Sequence, residues 1–370
     1  MFDRATYAQM PFAFWTTIFF VFGCIVGSFL NVCIHRMPRG ESIIRPPSHC
    51  PRCNYSIPWF LNVPLVTWLW LRGRCAQCGE PISPRYFMVE LLTGIVFASC
   101  WIVAGKMSAL VALAYCLFFG GLIAATFIDL EHLIIPDEIT IGGMVAGFVC
   151  SMLSPGSHWD VMRRHFMSQP LPAMRDSLLG MGIGAGVVYA IVRLGKLLFG
   201  RYKINLPPGS KIYFGESSVT LPEEELPYEE VFYRRSDTIV FRASRLELVD
   251  RCYCDVQVRL QPHRLQIGSE SMEPDKAPFM EAVTGEMIMP REAMGLGDVK
   301  FMGAIGAFLG WPATIFSLAL SAIIGLAVTL LLVLAGKRHW SGRLPYGPYI
   351  ALAAGIWVFG GYKWFMRLLE

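Results

Sequence analysis

The chain has 370 residues, 54% of them hydrophobic and only 16% charged, with a formal net charge of +4. A mean hydropathy of +0.47 excludes a soluble globular protein, so the expected solvent is a lipid bilayer. No nucleic-acid partner is expected.

Apolar runs occupy 11–34, 86–104, 110–128, 139–153, 178–200, 301–336 and 345–364. Each approaches or exceeds the roughly eighteen residues that cross a hydrocarbon core. The first run is too long for the apolar part of a secretory signal and lacks a small-x-small cleavage site, so it reads as a retained helix. The run at 301–336 is about twice one crossing and is interrupted at Gly310, Trp311 and Pro312. Proline removes a backbone donor and kinks a helix, so this run reads as a short sixth span, a tight turn and a seventh. The expected fold class is an all-α polytopic membrane protein of about eight transmembrane helices.

The loop that follows the first span runs from His35 to Arg85 and is rich in arginine, with few acids. By the positive-inside rule it is cytoplasmic. Alternation then puts 129–137, 201–298 and the loop holding Lys337, Arg338 and Arg343 on the same side. The loop at 156–177 falls outside despite Arg163, Arg164 and Arg175.

Within the first loop, "CPRC" and "CAQC" pair Cys50 with Cys53 and Cys75 with Cys78. Two such knuckles complete the tetrahedral shell of a structural Zn²⁺, and four thiolates leave no open position for catalysis. Two disulfides are the rival pairing, disfavoured in a cytosolic loop. Cys24, Cys33, Cys100, Cys116 and Cys150 lie in apolar spans and read as small hydrophobes. Cys252 and Cys254 have no knuckle spacing.

The third span ends in "FIDLEHLIIPDEIT", which carries Asp129 and Asp137, and a later span opens in "GLGDVKFMG", which carries Asp298. A charged group at a membrane threshold is by default functional. The topology puts Asp129 and Asp298 at the same membrane face. Pro136 and a rotation of roughly 80° along a helix turn Asp137 away from Asp129. Asp137 is expected to cap the fourth span, Lys300 to anchor among lipid headgroups, and Glu90 to be structural. Two carboxylates in one small site share a proton, and together they supply the base and the acid of peptide hydrolysis.

Between 201 and 290 lies a polar segment with "EEELPYEE", followed by "TIVFRASRLELVD" and "CDVQVRLQ", whose period-two alternation predicts a small β-rich cytoplasmic insertion. The domain division expected is 1–34, first helix; 35–85, zinc-binding loop; 86–200, helices two to five with the first aspartate; 201–290, insertion; and 291–370, the Gly-x-Gly-Asp motif with the last three helices.

"GSFLNVCIHRMPRGESIIRPPSHCPRC", the second Cys-x-x-Cys, "RYFMVELLTG", "FIDLEHLIIPDEIT", "REAMGLGDVKFMGAIGAFLGW" and "PYGPYIAL" follow one another in this order. In this the chain resembles the type IV prepilin peptidases, a family of bifunctional leader peptidases and N-methyltransferases. The resemblance implies a multi-pass peptidase of the bacterial inner membrane with its catalytic site facing the cytoplasm. Asp129 and Asp298 would be its catalytic pair, and type IV prepilins or type II secretion pseudopilins its substrates. It also implies methylation of the new amino terminus by S-adenosylmethionine, for which the chain carries no Gly-x-Gly-x-x-Gly fingerprint. The long insertion departs from the family pattern and would gate substrate entry or dock a pilus-assembly or secretion partner. Gly-x-Gly-Asp alone is shared with presenilin-like intramembrane proteases, but "FIDLEHL" lacks their Tyr-Asp context. A transporter or assembly scaffold with a proton relay would tend to show repeated halves, which are absent here.

Overall fold

The computed structural model describes residues 11–155, 170–222, 224–232, 235, 237–290, 295–336 and 344–369. The basic residues Arg163, Arg164, Lys337, Arg338 and Arg343, used above for topology, lie outside them. By its contacts the chain divides into two compact units, one formed by 1–189 with 296–370 and the other by 190–295.

In the first unit, helix α1 (Phe12–Arg36) packs against α2 (Pro84–Ala104). Ser83 caps α2, its hydroxyl accepting from the Arg85 amide, and Pro84 stands at its first position, where a missing N–H costs nothing. Gly23 and Gly27 let the two backbones meet. A Cβ on Gly27 would lie 2.7 Å from the Glu90 Cα, and one on Gly23 2.7 Å from the Thr93 carbonyl. Small residues four apart are how helices associate where lipid supplies no hydrophobic driving force. Helix α3 (Ala109–His132) completes the packing with Ile123, Ala124 and Ile128 against Leu30, Ile34 and Val89.

Helices α4 (Asp137–Leu153), α5 (Pro170–Phe199), α6 (Leu296–Leu309), α7 (Trp311–Leu334) and α8 (Gly347–Ile356) follow. Beyond α8 one wider turn at Trp357–Gly361 leads into a last helical stretch at Tyr362–Leu369. The predicted break in the sixth run falls at Gly310, whose φ of 82° ends α6 before Trp311 and Pro312 open α7. Helices α1, α2, α3, α5 and α7 are long and apolar enough to cross a bilayer. The other three are shorter. At 1.5 Å per residue the 14 residues of α6 reach about 21 Å, against roughly 30 Å of hydrocarbon. Helix α6 is clasped by glycines on two sides: a Cβ on Gly147 of α4 would sit 2.8 Å from Ala307, and one on Gly180 of α5 2.3 Å from the Gly306 carbonyl.

The second unit holds an antiparallel sheet of eight strands in the order β3-β2-β1-β8-β4-β5-β6-β7. The strands are β1 (Arg201–Phe214), β2 (Ser218–Thr220), β3 (Glu225–Pro227), β4 (Ile239–Leu248), β5 (Cys252–Gln261), β6 (Arg264–Ile267), β7 (Glu270–Met272) and β8 (Met280–Pro290). Only β4 and β5 coincide with the runs singled out in the sequence. One face carries Ile212, Phe214, Val219, Phe241, Leu246 and Met287 into a common core. Strands β1 and β8 pair from Arg201↔Pro290 onward, so the segment enters and leaves the sheet at adjacent positions.

Candidate active site

Asp129 stands in the last turn of α3 and is 5% exposed. Its Oδ2 accepts a hydrogen bond of 2.8 Å from the Gly347 amide at the start of α8. That contact depends on Gly347 having no side chain, because a Cβ there would lie 2.9 Å from Oδ2 and 3.2 Å from Ile135 Cδ1. Ile135, in the link between α3 and α4, is itself buried and touches the second motif as well. A Cβ on Gly297 would meet the Ile135 Cβ at 3.4 Å.

Asp298 follows Gly297 in the first turn of α6. The charge of Asp298 acts on the hydroxyl of Tyr346, the residue before Gly347, and that hydroxyl lies 3.0 Å from Ser321 Oγ of α7. The two acids are linked through adjoining neighbours: Gly347 holds Asp129, Tyr346 beside it feels Asp298, and Ile135 packs against both Gly347 and Gly297. Of the other buried acids among the described residues, Asp237 pairs with Lys196 at 2.7 Å. Asp176 lies where Gly310 leaves room at the start of α7.

Asp137 differs from expectation. It is the first residue of α4 but makes no capping bond, and its Oδ1 receives Lys300 Nζ at 2.6 Å. Lys300 correspondingly reaches a carboxylate on a neighbouring helix instead of serving as a headgroup anchor. A charged donor from α6 is a stronger partner than the local amides, and the pair fastens the first turn of α6 to that of α4. Both side chains are well exposed, at 38% and 59%, so the pair is worth at most about 1 kcal/mol. Asp137→Asn should keep leader-cleavage activity within about threefold of the parent, measured as initial rate. A loss as deep as that at Asp129 would transfer the catalytic role to Asp137.

The four cysteines converge. Their Sγ atoms all lie within 4.8 Å of one another, with Cys50 to Cys78 at 3.9 Å and Cys53 to Cys75 at 4.0 Å. A disulfide needs about 2.05 Å, whereas a zinc ion at about 2.3 Å from each sulfur sets an edge of about 3.8 Å. The two knuckles repeat one local design: Cys50 N–H donates to Tyr55 O and Cys75 N–H to Glu80 O, while Asn54 and Gly79 take the left-handed turn after the second cysteine. Amides of Cys78 and Gln77 pull the Cys75 thiol down, while the neighbouring sulfurs push Cys78 up, as expected of four thiols crowded together without a cation to hold them as thiolates. Cys50→Ser should release zinc on chelator dialysis, read by metal analysis. Leader cleavage should suffer less than methylation, since the acids lie on other segments. Absence of zinc from parent protein purified under reducing conditions would remove the metal site.

Residues 21–104 match the bacterial peptidase A24 N-terminal domain, and residues 116–211 and 277–330 match the type IV leader peptidase family. A prepilin leader peptidase/N-methyltransferase of Dichelobacter nodosus is 32% identical over 214 residues, covering 50% of this chain and 68% of that protein. The chain belongs to the type IV leader peptidase family. Its similarity to proteins of the same name in Myxococcus xanthus is 40% over 182 residues, about half of each chain (48% and 49%). In Aeromonas hydrophila it is 27% over 372 residues, 94% of this chain and 91% of the relative. No solved structure matches. The leader peptidase match contains Asp129 and Asp298 and passes over 212–276, most of the sheet. Gly347 lies beyond both matched regions.

A cavity of about 750 Å³ opens between the cysteine loop, the end of α1 and the start of α2. The loop is fastened around it. Buried Arg36 donates to the carbonyls of Ser42 at 3.0 Å and Pro46 at 2.8 Å, Glu90 Oε2 accepts from the Leu65 amide at 2.8 Å, and Arg85 pairs with Glu131. The sequence treated Arg36 and Arg85 only as topology charges. Their partners come from turns and helix ends, which periodicity does not locate.

Proposed function

We propose that the chain is a membrane aspartic endopeptidase that removes the leader of type IV prepilins or type II secretion pseudopilins and methylates the amino terminus it creates. The observation that carries this reading is the linkage of Asp129 and Asp298 through Ile135, Tyr346 and Gly347 in a chain of this family. One carboxylate, ionised, takes a proton from the attacking water. The other, protonated, donates to the carbonyl oxygen of the scissile peptide; as the C–N bond breaks, the first carboxyl passes the water's proton to the leaving amine and the second takes its proton back from the gem-diol. The Gly347 amide fixes one oxygen of Asp129, and Gly297 lets Ile135 pack against the turn that carries Asp298. Eight crossings, with α4, α6 and α8 as short ones, put both acids and the cysteine loop on the cytoplasmic side of the inner membrane. Cys50, Cys53, Cys75 and Cys78 would hold a structural zinc. S-adenosylmethionine, when bound, supplies the methyl group. Incubating the purified protein with a prepilin and reading the product by mass spectrometry for leader loss and methyl gain tests the whole reading. An unprocessed prepilin would defeat it.

In this reading the sheet of 201–290 is a separate module. Its ends are adjacent through the Arg201↔Pro290 pairing, so a short Gly/Ser linker in place of 203–282 should leave zinc content unchanged and at least part of the leader cleavage intact. Choice among several prepilins should change, since the module is the natural place for a pilus-assembly or secretion partner. Complete loss of cleavage in a folded, zinc-loaded deletion would make the sheet part of the active site.

A further inference from the structure

We propose that the cavity under the cysteine loop binds S-adenosylmethionine through Asn31, Trp68 and Arg85, with Glu90 as counter-charge to its sulfonium. The proposal rests on the reading of the chain as a methyltransferase and adds where that reaction takes place.

The cavity is of the size that takes a nucleoside-sized ligand, and it is lined by polar atoms without partners. Asn31 is 2% exposed; its Nδ2 donates to the Tyr86 carbonyl at 3.0 Å, which fixes the side chain and leaves Oδ1 unpaired. Trp68 Nε1 and Arg85 Nε are buried donors that also lack an acceptor. Buried polar atoms are almost always satisfied, so one acceptor and two donors around one cavity point to a ligand. Trp68 is held for the purpose. Its ring lies 5.0 Å from that of Phe87, and a Cβ on Gly73 would press on it at 2.9 Å.

Charge narrows the ligand class. Four carboxylates line the cavity, from Glu41, Glu80, Glu90 and Glu131. Glu80 is paired with Arg52 and Glu131 with Arg85, while Arg36 keeps its charge and bonds to two carbonyls. Among the described residues Glu41 and Glu90 have no ion pair, and the four carboxylates outnumber the guanidinium groups of Arg36, Arg52 and Arg85, so the site favours a cation. A purine with an exocyclic amine and ring acceptors, joined to a sulfonium and an ammonium, complements this set, and the indole of Trp68 offers a face for the ring or the cation.

The place also suits the reaction. Glu131 lines the cavity and Asp129 faces Gly347, and two residues on a helix point about 200° apart. The cavity and the acids therefore flank the last turn of α3, and an amine freed at one has only that turn to pass. Methylation forms an N–C bond with the lone pair of the amine and breaks the S–C bond, whose electrons stay on sulfur as a thioether. The product ammonium sheds its extra proton to water.

The test is equilibrium dialysis of the full-length, zinc-containing protein in detergent, with S-adenosylmethionine and S-adenosylhomocysteine as separate probes. Asn31→Leu and Trp68→Phe should each weaken both probes by about tenfold or more, with zinc content and leader cleavage within about threefold of the parent. Glu90→Gln keeps an oxygen for the Leu65 amide and should weaken the sulfonium probe more than the neutral thioether, a difference that a purely structural role would not produce. A parent protein that cuts leaders but binds neither probe overturns the proposal and leaves the peptidase standing. Undiminished binding in all three variants overturns it as well. Probe binding that these variants weaken, in a protein that cuts no leader, supports the site and removes the peptidase.

Discussion

Asparagine at position 129 or 298 should lower leader cleavage by about 10³-fold or more, within the range that acid–base groups contribute. Asparagine keeps the size of aspartate, and its carbonyl oxygen can still accept the Gly347 amide at position 129, so the packing around Ile135 should persist. Only the proton chemistry is lost. Zinc content and thermal unfolding should therefore match the parent. Residues that act as one unit are not additive, so the double variant should be no slower than either single one. The assay is the initial rate of leader loss by mass spectrometry. More than about a tenth of parental activity in either variant would mean that the acids are not the catalytic pair.

Gly347→Ala should be the next most severe, with a loss of about 10- to 100-fold in cleavage, for a reason of space alone. Gly347 is not in the left-handed region, so alanine meets no backbone penalty. Its methyl group would, however, stand 2.9 Å from Asp129 Oδ2 and 3.2 Å from Ile135, so the Asp129 carboxylate has to swing away from the Gly347 amide. A displacement of about 1 Å at a reacting group costs about 10² in rate. Gly325→Ala in α7 is the matched control, because its Cβ would meet Tyr349 at an ordinary 3.5 Å and should keep near-parental rates. Equal activity in the two variants would show that the Gly347 contact does not position Asp129.

The cysteine knuckles and both aspartate motifs were legible because their chemistry is written within a few consecutive residues. Gly347 was quoted only as part of "PYGPYIAL", since nothing near it in sequence says that it faces Asp129. Asp137 misled for the same reason: local rules favour a cap, and the lysine that takes it comes from another helix. Hydropathy located the apolar runs but not their helix lengths, which Gly310 and the wide turn at Trp357–Gly361 decide. In the sheet, β4 and β5 alternate visibly. Strand β1 hides behind Pro207, Pro208 and Gly209, which sit in the register shift opposite β8, while β8 changes its buried face around Gly285 and Glu286.

The amide that holds Asp129 arrives 218 residues later in the chain. A ribosome that has delivered α3 and α6 to the membrane has placed both acids but not the residue that orients the first of them. The chain would therefore gain full proteolytic activity only once α8 is inserted. Truncated products of aborted translation, though they carry both aspartates, would fall short of it toward the secretory precursors that surround them.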